Sequence, residues 1–139
     1  MKVFLDTNII LDLLVPGRPC CDTSATIMHQ LLSYRHEIVI TTQSVIDAYY
    51  TSQRYHISKG DIDFLIEWLM NKTNIRYIDI FSLRFALRVG HPDFEDSAQI
   101  ACAENEGCDI FLTSDAGILA RGIETMLVLT PAQFLERMK

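Results

Sequence analysis

Four aspartates stand where side chains can do chemistry. Asp6 ends the apolar run VFL and is followed by Thr7-Asn8. Asp47 lies six residues after Thr41, which ends the run EIVIT. Asp96 closes the segment Asp93-Phe94-Glu95-Asp96, and Asp115 follows the run IFLTS. Four carboxylates gathered in one place repel one another, and some keep their protons unless a cation is present. A hard divalent cation removes that conflict. Oxygen ligands without His or Cys favour Mg²⁺ or Mn²⁺ over zinc.

The elements around these acids must bring them together. Lys2–Leu5, Glu37–Thr41, Ile75–Ile80, Asp109–Thr113 and Met126–Leu129 read as strands, apolar and largely β-branched. Between them lie helical patterns over 8–15, 22–35, 42–55, 58–71, 82–89, 92–106, 114–121 and from Thr130-Pro131 to the end. Gly90 is expected to stop the helix over 82–89, and Gly107 and Gly122 stop two others. Val45, Ile46, Tyr49 and Tyr50 are expected to share one side of the helix over 42–55. Apolar strands alternating with helices predict a parallel sheet of about five strands covered on both faces, a three-layer α/β/α domain of Rossmann-like type spanning 1–139. In such sheets the site lies beyond the carboxyl ends of the strands, where the strand order reverses. If the strands are parallel, all four aspartates fall near that edge.

Each acid also has a plain structural reading. Asp93 and Asp96 have the spacing of an N-cap and its third residue, and a carboxylate is favourable at a helix N-terminus. Asp115 is an equally favourable first-turn acid. Asp6 could be a turn residue, although an acid between an apolar strand and Thr-Asn is an unusual start to a fold. Asp47 sits among Val45, Ile46 and Ala48, where a solvated acid is less expected. Asp12 reads as part of a solvated helix face, as do Asp61, Asp63, Glu67, Glu104 and Glu106.

Composition bounds the rest. The chain has 139 residues, 49% of them hydrophobic and 22% charged, a globular balance. Lys and Arg number 12 against 18 Asp and Glu, a net charge of −6 shared evenly between the two halves. Alone, that argues against coating nucleic acid with a broad basic surface. The remaining acids and bases nearly balance once the four aspartates are set aside. No apolar run is long enough to cross a bilayer, and Asp6 and Asp12 interrupt any secretory signal, so a cytoplasmic protein is expected. Cys20, Cys21, Cys102 and Cys108 form no CxxC pair, and the four histidines are scattered. Reduced, mostly buried thiols follow.

Taken in order, Asp6-Thr7-Asn8, Asp47, Asp93-Phe94-Glu95-Asp96 and Thr113-Ser114-Asp115 resemble the PIN-domain family along essentially the whole chain. The resemblance implies a metal-dependent ribonuclease of the VapC type, the toxin of a toxin–antitoxin pair. It implies an acidic catalytic site at Asp6, Asp47, Asp96 and Asp115, with Mg²⁺ or Mn²⁺ held by Asp6, Asp96 and Asp115. Thr7, Asn8, Asp93 and Ser114 would support it. RNA, an antitoxin protein and a second copy of the chain are the implied partners, with no membrane involved. The family usually has Glu where this chain has Asp47, one methylene shorter. That departure keeps open a catalytically weak or inactive module that binds RNA or protein. A HAD-like phosphatase is the other alternative, but it needs an acid where Asn8 stands.

RNA contacts stay unassigned at this level. Arg84 and Arg88 share a helical face, Arg54 and Lys59 flank a turn, and Arg121 follows the Asp115 helix. Solvated surface is the plainer reading of each. Tyr49, Tyr50 and Tyr55 could stack on bases, with packing the plainer reading for Tyr49 and Tyr50.

Overall fold

The computed structural model describes residues 1–89 and 92–139; His91 and the stop expected at Gly90 lie outside them. Five strands form one parallel sheet in the order β3-β2-β1-β4-β5: β1 Lys2–Leu5, β2 Glu37–Thr41, β3 Asn74–Arg76, β4 Ile110–Leu112 and β5 Leu127–Leu129. Val3 is in register with Ile38 on one side and Ile110 on the other. The chain adds β2 and β3 to one side of β1, then returns to place β4 on the other. The order therefore reverses between β1 and β4, and a crevice opens beyond their carboxyl ends.

Strand alternation builds a core on each face. Val3, Leu5, Ile38, Ile40, Ile110 and Leu112 point to one side. Helices α1 (Thr7–Leu14), α2 (Cys21–Ser33), α4 (Lys59–Lys72) and α8 (Pro131–Arg137) cover that side through residues such as Ile10, Leu31, Ile62 and Phe134. Phe4, Val39 and Phe111 point to the other side, under Cys102 and Ala103 of α6 (Phe94–Asn105) and Ile118 of α7 (Ala116–Arg121). The Phe4 and Phe111 rings stack with centroids 4.9 Å apart. The three layers match the expected architecture. Among the described residues, no helix is long and apolar enough to cross a membrane. Cys102 and Cys108 are buried, and Cys20 and Cys21 are half-buried; all four are free thiols.

Three local expectations need correction. The third strand pairs only over Asn74–Arg76. Tyr77 is 80% exposed, and Asp79 already caps α5 (Ile80–Arg88) by accepting from the Ser82 amide. Helix α3 (Thr42–Gln53) does not bury an Ile46–Tyr50 face. Its buried residues are Ser44, Ala48 and Ser52, while Ile46 and Tyr50 are exposed. Small side chains let α3 approach closely, and the Ser44 and Ser52 hydroxyls are satisfied by hydrogen bonds. Asp12 does not sit on a solvated face. It is buried at 3% exposure, with Arg18 Nε at 2.7 Å from Oδ1 and Ser24 Oγ at 3.4 Å from Oδ2. The arginine comes from the loop after α1, which sequence periodicity does not place.

Candidate carboxylate site

Two of the four acids, Asp6 and Asp115, stand where the chain turns from a strand into a helix, and the other two, Asp47 and Asp96, are carried within helices. Asp6 leaves β1 with extended backbone and caps α1. Its Oδ1 accepts from the Thr7 amide at 2.8 Å, and its Oδ2 accepts from Thr113 Oγ1 at 2.7 Å. Asp115 caps α7, its Oδ1 accepting from the Ile118 amide at 2.9 Å. The Asp115 amide donates to the same Thr113 hydroxyl at 3.0 Å. Thr113 thus links the Asp6 carboxylate to the backbone of Asp115 across the β1/β4 reversal. A Cβ at Gly117 would meet Asp115 Oδ1 at 3.1 Å, so a larger residue there would press on the carboxylate.

Asp93 caps α6 by accepting from the Asp96 amide at 2.9 Å, which fixes Asp96 in the first turn. Asp47 is carried by α3, whose N-terminus Thr41 caps. Gln43 Nε2 donates to Asp47 Oδ1 at 2.9 Å. Glu95 lines the same cavity as Asp47.

Asp6, Asp47, Asp96 and Asp115 line one open cavity of about 500 Å³, together with Thr7 and Glu95 on the polar side. Asn8 lines it as well. Asp93 and Ser114 do not: Asp93 stands behind as a cap, and Ser114 is exposed. The hydroxyl at this strand end comes from Thr113, because alternation turns Thr113 inward and Ser114 outward.

A polar ring holds the three helices in place beneath the cavity. Thr7 Oγ1 and Ser44 Oγ are 2.8 Å apart, Ser44 Oγ donates to Gln99 Oε1 at 3.0 Å, and Gln99 Nε2 donates to Thr7 Oγ1 at 3.0 Å. Thr41 Oγ1 adds a further bond to Ser44 Oγ at 3.0 Å. These residues join β2, α1, α3 and α6. Glu95, Ser44, Gln99 and Thr113 are the site-forming residues that sequence reasoning missed as functional. Glu95 stood inside the quoted Asp93–Asp96 segment, but nothing in the chain said it faces Asp47. Ser44 and Gln99 are ordinary helix residues, with no signal until α3 and α6 meet.

The electrostatics are those of acids lacking a counter-charge. Burial pushes the Asp6 carboxyl above its ordinary value, against the pull of the Thr113 and Thr7 hydrogen bonds, and Asp115 and Asp93 add to the rise. Burial, then Asp93, Asp6, Asp115 and Glu95, push Asp96 up to about 7. Glu95 is raised by burial first and by Asp47 next. Among the described residues, no three carboxylates converge closely enough to form a ready-made coordination shell. The arrangement is an acid-lined basin, able to hold protons or a cation.

This fold and this placement of acids have counterparts. A family model for the PIN domain matches residues 2–117, and the chain belongs to that family. It is 26% identical over 141 residues to Ribonuclease VapC1 of Aquifex aeolicus (strain VF5), covering 98% of this chain and 94% of that protein. Among solved structures it resembles VapBC2 from Rickettsia felis bound to a DNA fragment from their promoter. The TM-score is 0.69 at 14% identity, over 94% of this chain and 98% of that one. It resembles equally VapC20 of Mycobacterium tuberculosis, a sarcin–ricin loop cleaving toxin, with a TM-score of 0.69 at 14% identity, over 90% and 98% of the two chains.

Proposed function

We propose that this chain is a divalent-metal-dependent endoribonuclease and the toxin of a VapBC-type toxin–antitoxin pair. One observation carries the reading: four aspartates from four separate segments line a single cavity at the strand reversal of a PIN domain. The kinship with a curated ribonuclease supports the reaction class. Kinship with a toxin–antitoxin assembly supports an antitoxin partner.

The donor set fits Mg²⁺ or Mn²⁺. It is oxygen-only, and two of its acids, Asp6 and Asp96, have their charged forms disfavoured in the bare cavity. Mg²⁺ keeps several of its waters and is held through a few carboxylates. When bound, such an ion lowers the pKa of water and offsets charge building on the phosphate oxygens. Asp6, Asp96 and Asp115 are the residues that would hold it. Thr113 keeps Asp6 aimed into the cavity, and the caps of α6 and α7 fix Asp96 and Asp115. Asp47, with Glu95 beside it, orients the attacking water and takes up its proton. Glu95 brings a further carboxylate to the cavity that Asp47 lines. Asn8 and Thr7 line the approach for the RNA strand. A second copy of the chain and an antitoxin complete the expected assembly, in the cytoplasm.

The test is cleavage of single-stranded RNA with Mg²⁺ or Mn²⁺, wild type against Asp6→Asn, alongside Mn²⁺ binding by electron paramagnetic resonance. Metal-dependent cleavage by the wild type, with loss of cleavage and weaker Mn²⁺ binding in the variant, supports the reading. Full activity in Asp6→Asn removes the assignment. A wild type that binds RNA but cleaves none at any metal concentration favours the inactive binding module instead.

A further inference from the structure

The carboxylate cavity has one wall that is not acidic. Helical spacing puts Ile46, Asp47, Tyr50 and Thr51 on one stripe of α3, and all four line the cavity. Ile46 is 60% exposed and Tyr50 68% exposed. The three tyrosines of this region differ in employment. Tyr49 is half-buried against the core, and its hydroxyl donates to Asp63 at 2.7 Å. Tyr55 accepts from Arg18 Nη1 at 3.0 Å, with the guanidinium 5.9 Å from its ring centroid. Among the described residues, the Tyr50 hydroxyl has no partner, and its ring stands open beside Asp47. The ring stays out of the core and is free to meet whatever enters the cavity.

An exposed ring at the edge of an acidic basin adds no oxygen ligand for a hard metal ion from its face, but that face matches the flat face of a base. Stacking tolerates every base, because each has a π-face. It is also independent of charge, which matters for a chain of net charge −6 whose cavity is itself acidic. Only an unpaired nucleotide offers such a face; a base inside an A-form duplex does not. We infer that Tyr50 is a base-stacking platform: it holds an unpaired nucleobase next to the phosphodiester presented to the Asp6–Asp96–Asp115 basin. This rests on the ribonuclease reading above.

The experiment measures steady-state cleavage of a single-stranded RNA oligonucleotide by wild type, Tyr50→Ala, Tyr50→Phe and Tyr50→Trp. Circular dichroism and solution mass are recorded for each. The same series is repeated with an abasic nucleotide placed in turn on each side of the mapped cut. Tyr50→Ala is expected to raise KM by roughly 5- to 100-fold, with the loss falling on KM rather than kcat. Tyr50→Phe and Tyr50→Trp retain the wild-type KM, because the ring and not the hydroxyl does the holding. The penalty of Tyr50→Ala disappears on one of the abasic substrates. An unchanged KM in Tyr50→Ala, a Phe variant as weak as Ala, or a penalty that persists on every abasic substrate overturns the inference while leaving the ribonuclease reading intact. A change of oligomeric mass in Tyr50→Ala also overturns it, and assigns the ring to a contact between copies. A wild type that neither binds nor cleaves RNA overturns both.

Discussion

Asp6 and Asp12 sit six residues apart, one capping α1 and the other within it, and both are almost completely buried, at 5% and 3% exposure. Their surroundings are opposite. Asp12 has a cation of its own, Arg18 at 2.7 Å, with Ser24 beside it. Asp6 has hydrogen bonds from Thr113 and Thr7, but its charged neighbours are other acids, Asp115 and Asp93. Burial is therefore not what separates a structural acid from a chemical one. The difference is whether the fold supplies the counter-charge. Asp12 is complete within the chain. Asp6 is left to be completed by something from outside.

The sharpest way to break this contrast is to neutralise each acid without changing its shape. Asp6→Asn is expected to lower RNA cleavage by about 100- to 1,000-fold, as loss of a transition-state charge stabiliser does. In metal-free protein its melting temperature should equal or exceed that of the wild type, because a repelling buried carboxylate is gone. A large drop in melting temperature would make Asp6 structural after all. Asp12→Asn should do the reverse. It leaves Arg18 facing a neutral amide in a largely buried pair, a cost of about 2 kcal/mol in denaturant unfolding. kcat, measured below the transition, should not change. A fall in kcat there would tie the Arg18 pair to the site.

A milder perturbation reads the support of Asp6. Thr113→Val removes the hydroxyl that both donates to Asp6 and accepts from the Asp115 amide. The expected cost is about 1 kcal/mol of stability, with several-fold weaker Mn²⁺ binding. Equal Mn²⁺ affinity in variant and wild type would show that Thr113 does not aim the carboxylate.

The smallest effect is a slope with pH. Asp96 is raised from 3.8 to about 7, so between those values the folded chain keeps a proton that the unfolded chain has released. Stability then falls as pH rises through that window. Burial of Asp6 pushes in the same direction. The melting temperature of metal-free protein should therefore decline from about pH 5 to pH 7.5, and Mg²⁺ should flatten the decline by favouring the charged carboxylates. Asp96→Asn should be flatter than wild type in EDTA. Equal slopes in the two would remove Asp96 from the explanation.

Much of the frame was legible in the chain. Strand runs such as KVFL and EIVIT are apolar on both faces because both faces of the sheet are covered. The acids follow them because the crevice lies at the strand ends. The capping residues Asp93 and Thr130 also carry local signals, since a cap is read within a few residues of itself, whereas Asp115, read as a first-turn acid, is itself the cap of α7. Faces were harder. The apolar quartet of α3 splits: Val45 and Tyr49 pack against the core while Ile46 and Tyr50 are exposed, because periodicity counts hydrophobicity while Ser44, Ala48 and Ser52 are buried for their small size and their hydrogen bonds. Helix α5 is similar, burying Ser82 and Ala86 while Phe81 and Leu87 are exposed.

Sequence by itself determined the order of strands and helices along the chain and the parallel three-layer class, with acids gathered toward the carboxyl edge of the sheet, because these follow from local periodicity and local caps. Tertiary structure alone decided which groups meet. Asp6 is joined to Thr113 across 107 residues, Ser44 to Gln99 across 55, and Asp12 finds Arg18 from a loop with no periodicity. Glu95 faces Asp47, and Tyr50 is left bare beside it. A partner is fixed by how the crossovers stack, and neither spacing nor composition records that.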